Sequence, residues 1–255
     1  MSTRHFKSWL LVPVALLLAV PALWAQDNRE FHWKGKLPAD GVFQVKGING
    51  NIDAQRAAGD EAEVTVDISG TYADEVKIQV IPDANGVLVC EVYRNHDSCS
   101  GHSSDHNRDR TKINYHVRVP ANARFHGQTV NGSVTAENLN RSIKATSVNG
   151  SVRVSTKSWA QASSVNGSVV ATMGSTDWPA GLHISSVNGS VTVALPPDAN
   201  IDLSVSSING RFSSELPVTT QNVSFRHLSG HIGNGGQPLH ISTVNGSVEI
   251  RKNLI

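Results

Sequence analysis

The stretch Ser163–Val169 reads SSVNGSV, and close copies of this phrase return along most of the chain. A catalytic site is normally encoded once, so a phrase written seven times indicates architecture and not catalysis. The other copies are TSVNGSV from Thr146, SSVNGSV from Ser185, STVNGSV from Ser242, QTVNGSV from Gln128, SSINGRF from Ser206 and KGINGNI from Lys46.

From Gly132 onward the copies recur about every 20 residues, which is the spacing of a repeat protein, whereas Gly50 stands apart, 82 residues before Gly132. The interval of 36 residues between Gly210 and Gly246 divides into 20 and 16 if HLSGHI, which contains Gly230, is a degenerate copy. We interpret every Asn-Gly pair as a structural turn, because both residue types tolerate positive φ. The pairs are Asn49 and Gly50, Asn131 and Gly132, Asn149 and Gly150, Asn166 and Gly167, Asn188 and Gly189, Asn209 and Gly210, and Asn245 and Gly246.

The residues on both sides of each pair alternate between apolar and polar, as in LHISSVNGSVTV from Leu182. Such alternation predicts strands. In one interpretation the Asn-Gly pair is the tip of a hairpin, and the chain is an antiparallel β-sandwich or meander. In the other, each unit is one coil of a parallel β-solenoid, and the asparagines of successive coils form a ladder. The uniform phrase and the irregular connections between copies favour the solenoid.

The first 25 residues have the pattern of a signal peptide. Arg4, His5 and Lys7 precede an apolar run that Pro13 and Pro21 interrupt. This run is short for a membrane span, so we expect cleavage after Ala25, with an uncleaved anchor as the alternative. No later segment is apolar enough to cross a bilayer. The chain is therefore expected to be exported, to the periplasm or beyond.

We divide the remainder into two parts. Residues 26–119 are less repetitive and predict an N-terminal β subdomain that covers the first coil, whereas residues 120–255 predict the Asn-Gly solenoid. Arg251 and Lys252 beside the last strand are expected to discourage pairing at an exposed edge.

The two cysteines, Cys90 and Cys99, predict a disulfide, because an even pair in an exported chain is normally oxidised. Between and after them lies a polar loop with His96, His102 and His106. The spacing of the last two histidines suits zinc on a helix, but this segment reads as a solvated loop. We predict no metal and no cofactor.

The sequence holds no pattern that predicts an enzyme. The acidic residues after Gln128 do not recur at one position of the repeat, and no nucleophile or phosphate-loop signature is present. The formal net charge of +1 gives no electrostatic basis for binding nucleic acid. Trp159 and Trp178 lie between repeats, where tryptophans can stack on sugar rings, although packing against the core is the favoured interpretation.

Several longer pieces of the chain resemble the bacterial "putative adhesin" family of exported, envelope-associated domains of unknown function. The resemblance covers about residues 31–252. It implies a right-handed β-helix-like fold without catalytic activity. We therefore expect a non-enzymatic binding or scaffold protein of the cell envelope, whose partner is an envelope protein or a glycan. A periplasmic stress or signalling accessory protein is the alternative, and a carbohydrate-active enzyme is less favoured. The segments that resemble the family are LPADGVFQVKGINGNIDA from Leu37, YHVRVPANARFHGQTVNGSV from Tyr115, VTVALPPDANIDLSVSSINGRF from Val191 and LHISTVNGSVEIRK from Leu239.

Overall fold

A computed structural model describes residues 29–93, 99 and 111–253. The expected signal peptide and the three histidines of the polar loop, His96, His102 and His106, lie outside the described residues. Within the described part, no helix is long and apolar enough to span a membrane.

The described chain is almost entirely β-strand, with one 3-10 turn at Ala73–Glu75. The residue types explain this architecture. Valine, isoleucine and threonine favour strands, and the asparagine and glycine between them favour the corners at which the strands end. In chain order the strands are β1 Arg29–Lys36, β2 Val42–Lys46, β3 Ile52–Arg56, β4 Glu61–Gly70, β5 Val76–Asp83, β6 Gly86–Tyr93, β7 Thr111–Val119, β8 Arg124–Asn131, β9 Val134–Leu139, β10 Ile143–Asn149, β11 Val152–Thr156, β12 Ala160–Asn166, β13 Val169–Met173, β14 Leu182–Asn188, β15 Val191–Leu195, β16 Ile201–Asn209, β17 Phe212–Ser214, β18 Val218–Val223, β19 His227–Ile232, β20 Gln237–Asn245 and β21 Val248–Lys252.

The strands form two sheets. Sheet A has the order β1-β4-β7-β3-β9-β11-β13-β15-β21-β17, and sheet B has the order β18-β19-β16-β20-β14-β12-β10-β8-β2-β6-β5. Each Asn-Gly pair connects a strand of sheet B to the following strand of sheet A, and equivalent strands of neighbouring coils run parallel. Asn149, for example, is in register with Asn131 on one side and Asn166 on the other. The parallel solenoid is confirmed, and the alternative of Asn-Gly hairpins is wrong.

Both sheets run across the predicted division at residue 120. The Asn49-Gly50 copy is a full coil, because β2 pairs with β8 and β3 pairs with β9. Beyond this coil, β7, β4 and β1 extend sheet A, and β6 and β5 extend sheet B. Residues 29–93 and 111–119 thus form one end of the same pair of sheets.

The last coil does not lie at the end of the solenoid. Strand β20 pairs with both β14 and β16, and β21 pairs with both β15 and β17. The coil made by β20 and β21 is therefore inserted between two coils that precede it in sequence. Strand β17 pairs only with Val248–Ile250, so Arg251 and Lys252 pair with β15 alone and are exposed where the short edge strand has ended.

The segment around Gly230 is not a degenerate copy of the repeat. It lies in β19, which pairs antiparallel with β16 and with β18. This hairpin covers the edge of sheet B that the last regular coil would leave open.

The core lies between the two sheets and follows from the alternation along each strand. In β11, Val152 and Val154 point inward and are fully buried, whereas Arg153 is exposed. Each valine or isoleucine buried in this way stabilises the fold by roughly 1.5–3 kcal/mol relative to leaving it exposed. The core of the described residues is mainly aliphatic, and its buried aromatic members are Trp178, Tyr115, Tyr93, Phe43 and Phe125.

Candidate functional site: the asparagine ridge and the outer face of sheet B

The asparagines of all seven Asn-Gly copies lie in one continuous row, which we call the asparagine ridge. Six of the seven side-chain amides donate to Oδ1 of the neighbouring asparagine at 2.7–2.8 Å, and Asn49 at one end accepts. At about 4.8 Å for each parallel strand, the ridge is about 29 Å long. Its order in space differs from its order in sequence, because Asn245 lies between Asn188 and Asn209. The row runs Asn49, Asn131, Asn149, Asn166, Asn188, Asn245 and Asn209.

The glycine after each asparagine is required by a close approach between coils. A Cβ placed on Gly167 would overlap the carbonyl oxygen of Gly150, and a Cβ on Gly246 would overlap that of Gly189. The sequence had suggested positive φ as the reason. Among the seven turn glycines of the described chain, only Gly50 and Gly132 have positive φ, so that explanation is wrong for Gly167.

Two positions before six of the seven ridge asparagines, a hydroxyl hydrogen-bonds to the glycine carbonyl of the adjacent coil, and all of these hydroxyl residues except the half-buried Ser207 are buried. The hydroxyl of Ser186, for example, donates to the carbonyl oxygen of Gly167 at 2.8 Å. This bond satisfies a polar group that the close approach of the coils removes from water. The close approach of the coils thus explains the glycine of the phrase, and the hydrogen bond explains its serine or threonine. The equivalent donors are Thr129, Ser147, Ser164, Thr243 and Ser207.

The first coil departs from this pattern, and the sequence analysis missed the residues responsible. Gly47 replaces the hydroxyl residue because the ring of Tyr115 occupies the space beside it. The Tyr115 hydroxyl donates to Glu91, which also accepts the backbone N–H of Ile48 at 2.5 Å. Burial, followed by the charge of Glu91, raises the pKa of Tyr115 well above its usual value. In sequence, Glu91 continues the inward-facing positions of Val87 and Val89. A carboxylate at such a position was the signal that a buried polar partner lies nearby.

The outer face of sheet B carries a row of apolar side chains directly beside the asparagine ridge. We call it the valine row. Val148, Val165, Val187 and Ile208 are 37–44% exposed and the other three members are half-buried, although the outward side of a strand is normally polar in a solvated sheet. The row consists of Ile48, Val130, Val148, Val165, Val187, Val244 and Ile208.

Two further outward rows follow on the same face. The next row is mostly hydroxyl-bearing, and in it Thr146 and Ser163 hydrogen-bond to each other at 3.2 Å across neighbouring coils. The row beyond is mixed, and in it His183 and His240 stack with ring centroids 4.7 Å apart. The outer face of sheet B is therefore a regular array in which amides, apolar side chains and hydroxyls each occupy their own line.

The other residues singled out by the sequence have separate places. Cys90 and Cys99 form a disulfide with a Cα–Cα distance of 5.8 Å. Trp178 is buried, and its indole N–H donates to the carbonyl of Pro238 at 3.0 Å, so its role is core packing. Trp159 is half-buried: it packs against the core, as favoured, and also borders an open groove on sheet B.

The acidic residues that the sequence analysis considered for catalysis are dispersed in the structure. Asp177 borders the groove beside Trp159, whereas Glu249 pairs with Arg251 on sheet A. Glu215 accepts the backbone N–H of Lys252 at the end of sheet A. Within the described ranges, no three residues of the kinds that bind metals come together.

Comparison with known proteins supports the same family as the residues do. The family model described as Toastrack DUF4097 matches residues 39–251. A crystal structure of a "putative cell adhesion protein" from Clostridium sporogenes is 12% identical, with a TM-score of 0.48, and the match covers 89% of this chain and 100% of that one. A "putative adhesin" from Bacteroides fragilis is also 12% identical, with a TM-score of 0.34, covering 88% of this chain and 97% of that one. No curated protein matches the sequence.

Proposed function

The chain belongs to the Toastrack DUF4097 family, and we propose that it is an exported, non-enzymatic, adhesin-like binding protein of the bacterial cell envelope. Its binding surface in this proposal is the outer face of sheet B. The observation that carries the proposal is the valine row, which keeps apolar side chains in solvent along the asparagine ridge. Exposed apolar surface arranged in this way is typical of interaction sites.

The chemistry of the face suits an extended glycan. A sugar ring presents an apolar face of C–H groups and an edge of hydroxyls. The valine row offers the apolar contact, while the asparagine amides and the serine and threonine hydroxyls beside it offer donors and acceptors. Because these groups repeat at about the strand spacing, several sugar residues can be contacted at once.

Export is supported by the Cys90–Cys99 disulfide, since disulfides persist in oxidising compartments. The basic and apolar pattern of residues 1–25 supports the same location. Binding without catalysis is supported by the separation of Glu215 and Glu249, on sheet A, from Asp177 beside Trp159, because most glycoside hydrolases use two carboxylates that flank one bond.

The test is binding of the purified protein to a panel of bacterial envelope polysaccharides. The double variant Val165→Thr with Val187→Thr keeps β-branched residues in the strands and removes apolar contact from the valine row. We expect this variant to bind the preferred polysaccharide several-fold more weakly. Val170→Thr is the matched control, because Val170 points outward from sheet A on the adjoining strand.

Equal binding by the double variant and the control would contradict the placement of the surface. Turnover of the polysaccharide that is abolished by replacing one carboxylate would contradict the non-enzymatic function.

A further inference from the structure

An open groove of about 460 Å³ lies on sheet B at the end of the strands opposite the asparagine ridge. Three consecutive coils form its floor. Arg124, Ser142 and Trp159 occupy the same position on these coils, seven residues before the ridge asparagine. His126, Lys144 and Gln161 occupy the next outward position, and Lys144 is in register with the other two.

The walls of the groove add two acidic residues and one more arginine. The carboxylate of Asp40 accepts a hydrogen bond from Arg141 at 2.5 Å. Nε of Arg124 donates to the backbone carbonyl of Asp40 at 3.0 Å and lies 3.8 Å from its carboxylate. The guanidinium of Arg141 lowers the pKa of Asp40, so this carboxylate is charged at neutral pH. Asp177 borders the groove near Trp159.

Lys144 differs from the two arginines because no salt bridge joins it to a carboxylate in the described part of the chain. With three cationic and two acidic side chains, the groove carries one net positive charge, and Lys144 is where that charge is concentrated. An anionic group placed above Lys144 also has the N–H groups of Arg124 within the same groove.

His126 lies between Lys144 and Arg124 on the groove floor. Burial, followed by the charges of Lys144 and Arg124, lowers its pKa from 6.5 to about 4. Asp83 lines the cleft on the other side of His126. At neutral pH the imidazole is therefore uncharged and can both donate and accept a hydrogen bond, which suits a hydroxyl group.

We propose that this groove binds a carboxylated sugar residue of an envelope glycan, with its carboxylate at Lys144 and Arg124 and its ring against Trp159. The inference rests on the proposed function because it takes the ligand to be a glycan. It adds that the glycan is acidic and that the acidic sugar binds in this groove. A half-buried tryptophan beside cationic and hydroxyl groups fits a charged sugar better than a bare anion, because the ring gives the tryptophan an apolar face to cover.

The test uses trigalacturonate, its methyl ester and citrate as probes, with affinity measured by calorimetry. We expect trigalacturonate to bind more tightly than both the neutral ester and citrate. Lys144→Gln should weaken trigalacturonate by roughly three- to tenfold, the range for one charge-assisted contact in a partly exposed site. Trp159→Ala should weaken the binding of the sugar probes and leave the affinity for citrate unchanged. Arg153→Gln is the matched control, because Arg153 is exposed on sheet A.

A second readout follows the imidazole of His126 by NMR. A bound carboxylate should raise the pKa of His126 from about 4, and Lys144→Gln should raise it in the absence of any ligand.

Failure of the groove and failure of the proposed function give different results. If trigalacturonate and its ester bind equally and only the valine-row variant weakens them, the groove assignment is overturned and the proposed function stands. If citrate binds as tightly as trigalacturonate and Trp159→Ala changes neither, the groove is a general anion site and the sugar assignment is wrong. If no probe binds and no NMR signal of His126 moves, the inference is overturned while the polysaccharide panel still judges the proposed function.

Discussion

The side-chain amide of Asn245 donates to Oδ1 of Asn188 at 2.7 Å, across 57 residues of chain. On its other side, Asn245 accepts a hydrogen bond from Asn209 at 2.8 Å. The asparagine that comes last in sequence is therefore an interior member of the ridge. Its coil has neighbours on both sides, and this position determines how substitutions there should behave.

Substitutions at the turn glycines should cost the same at Gly167 and Gly246. In both, an added Cβ meets the carbonyl of the glycine in the neighbouring coil, so Gly→Ala should destabilise the fold by about 1–3 kcal/mol, the range for forced overpacking. Urea unfolding measures the loss. Gly59→Ala is the control, because a Cβ on Gly59 meets no atom within 4 Å.

A coil at the end of a solenoid has a single neighbour, so a substitution there would cost less. A loss at Gly246 well below that at Gly167 would therefore contradict the inserted coil.

The buried hydroxyls of the phrase should matter more than the exposed ones beside them. Ser186→Ala leaves the carbonyl of Gly167 without its hydroxyl donor and should cost about 1–3 kcal/mol. Ser185→Ala changes the adjacent residue, which faces the outer surface of sheet B, and should stay within about 0.5 kcal/mol. Thermal unfolding of the pair decides the point, and equal losses would refute the assigned role of the buried hydroxyl.

The asparagine ridge should show an end effect. Asn166→Ala removes two ladder hydrogen bonds, whereas Asn209→Ala removes the single bond at the end of the ridge. We expect a loss of about 0.5–1.5 kcal/mol at Asn166 and a smaller loss at Asn209, since each exposed hydrogen bond contributes modestly. Chemical denaturation of both variants measures the difference. A larger loss at Asn209 would be inconsistent with a ladder that ends there.

Stability should fall as pH decreases from about 6.5 to about 4 because of His126. Its pKa is lowered in the folded protein, so the unfolded chain binds the proton first and acid favours unfolding. Above pH 6.5 the imidazole is neutral in both states and contributes nothing. The lowered pKa of Asp40 acts in the same direction, but below the usual pKa of an aspartate.

The measurement is the urea midpoint at several pH values for the unmodified protein and for His126→Gln. The variant should show a shallower decline between pH 6.5 and 4. An identical decline in both proteins would show that His126 is not the group responsible.

The sequence predicted the parallel solenoid and the asparagine ladder because one phrase recurs at a near-constant spacing. It did not predict the order of the coils, since every copy presents the same edge to its neighbour. The phrases LHISSVNGSVTV and LHISTVNGSVEI, from Leu182 and Leu239, are close matches, and their coils stack directly on each other. The similarity of these two phrases was a signal that their coils are neighbours. The spacing of the repeats did not reveal it, because spacing follows the order in sequence.

The outer-face rows were only partly accessible from sequence. The phrase shows that a valine precedes each central asparagine. Whether that valine faces the core or the solvent depends on the backbone geometry at the corner, which the phrase does not show. The groove was less accessible still, because its walls combine Asp40, Arg141 and Asp177 from three separate connections. Loop residues of this kind follow no period, so only the stacking of the coils brings them together.

The most direct test of the account is a pair of engineered disulfides on the outer face of sheet B. Ser185 is in register with Ser242, and Ser242 lies between Ser185 and Ser206. Ser185→Cys with Ser242→Cys should form a cross-link under mild oxidation, because in-register neighbours on parallel strands lie within the Cα distance of a disulfide, about 4.4–6.8 Å.

Ser185→Cys with Ser206→Cys should leave both new thiols free, since β20 separates the two strands. Mass spectrometry with thiol alkylation reads both outcomes while the Cys90–Cys99 bond remains intact. A cross-link in the 185/206 pair and free thiols in the 185/242 pair would show that the coils stack in sequence order and would contradict the account.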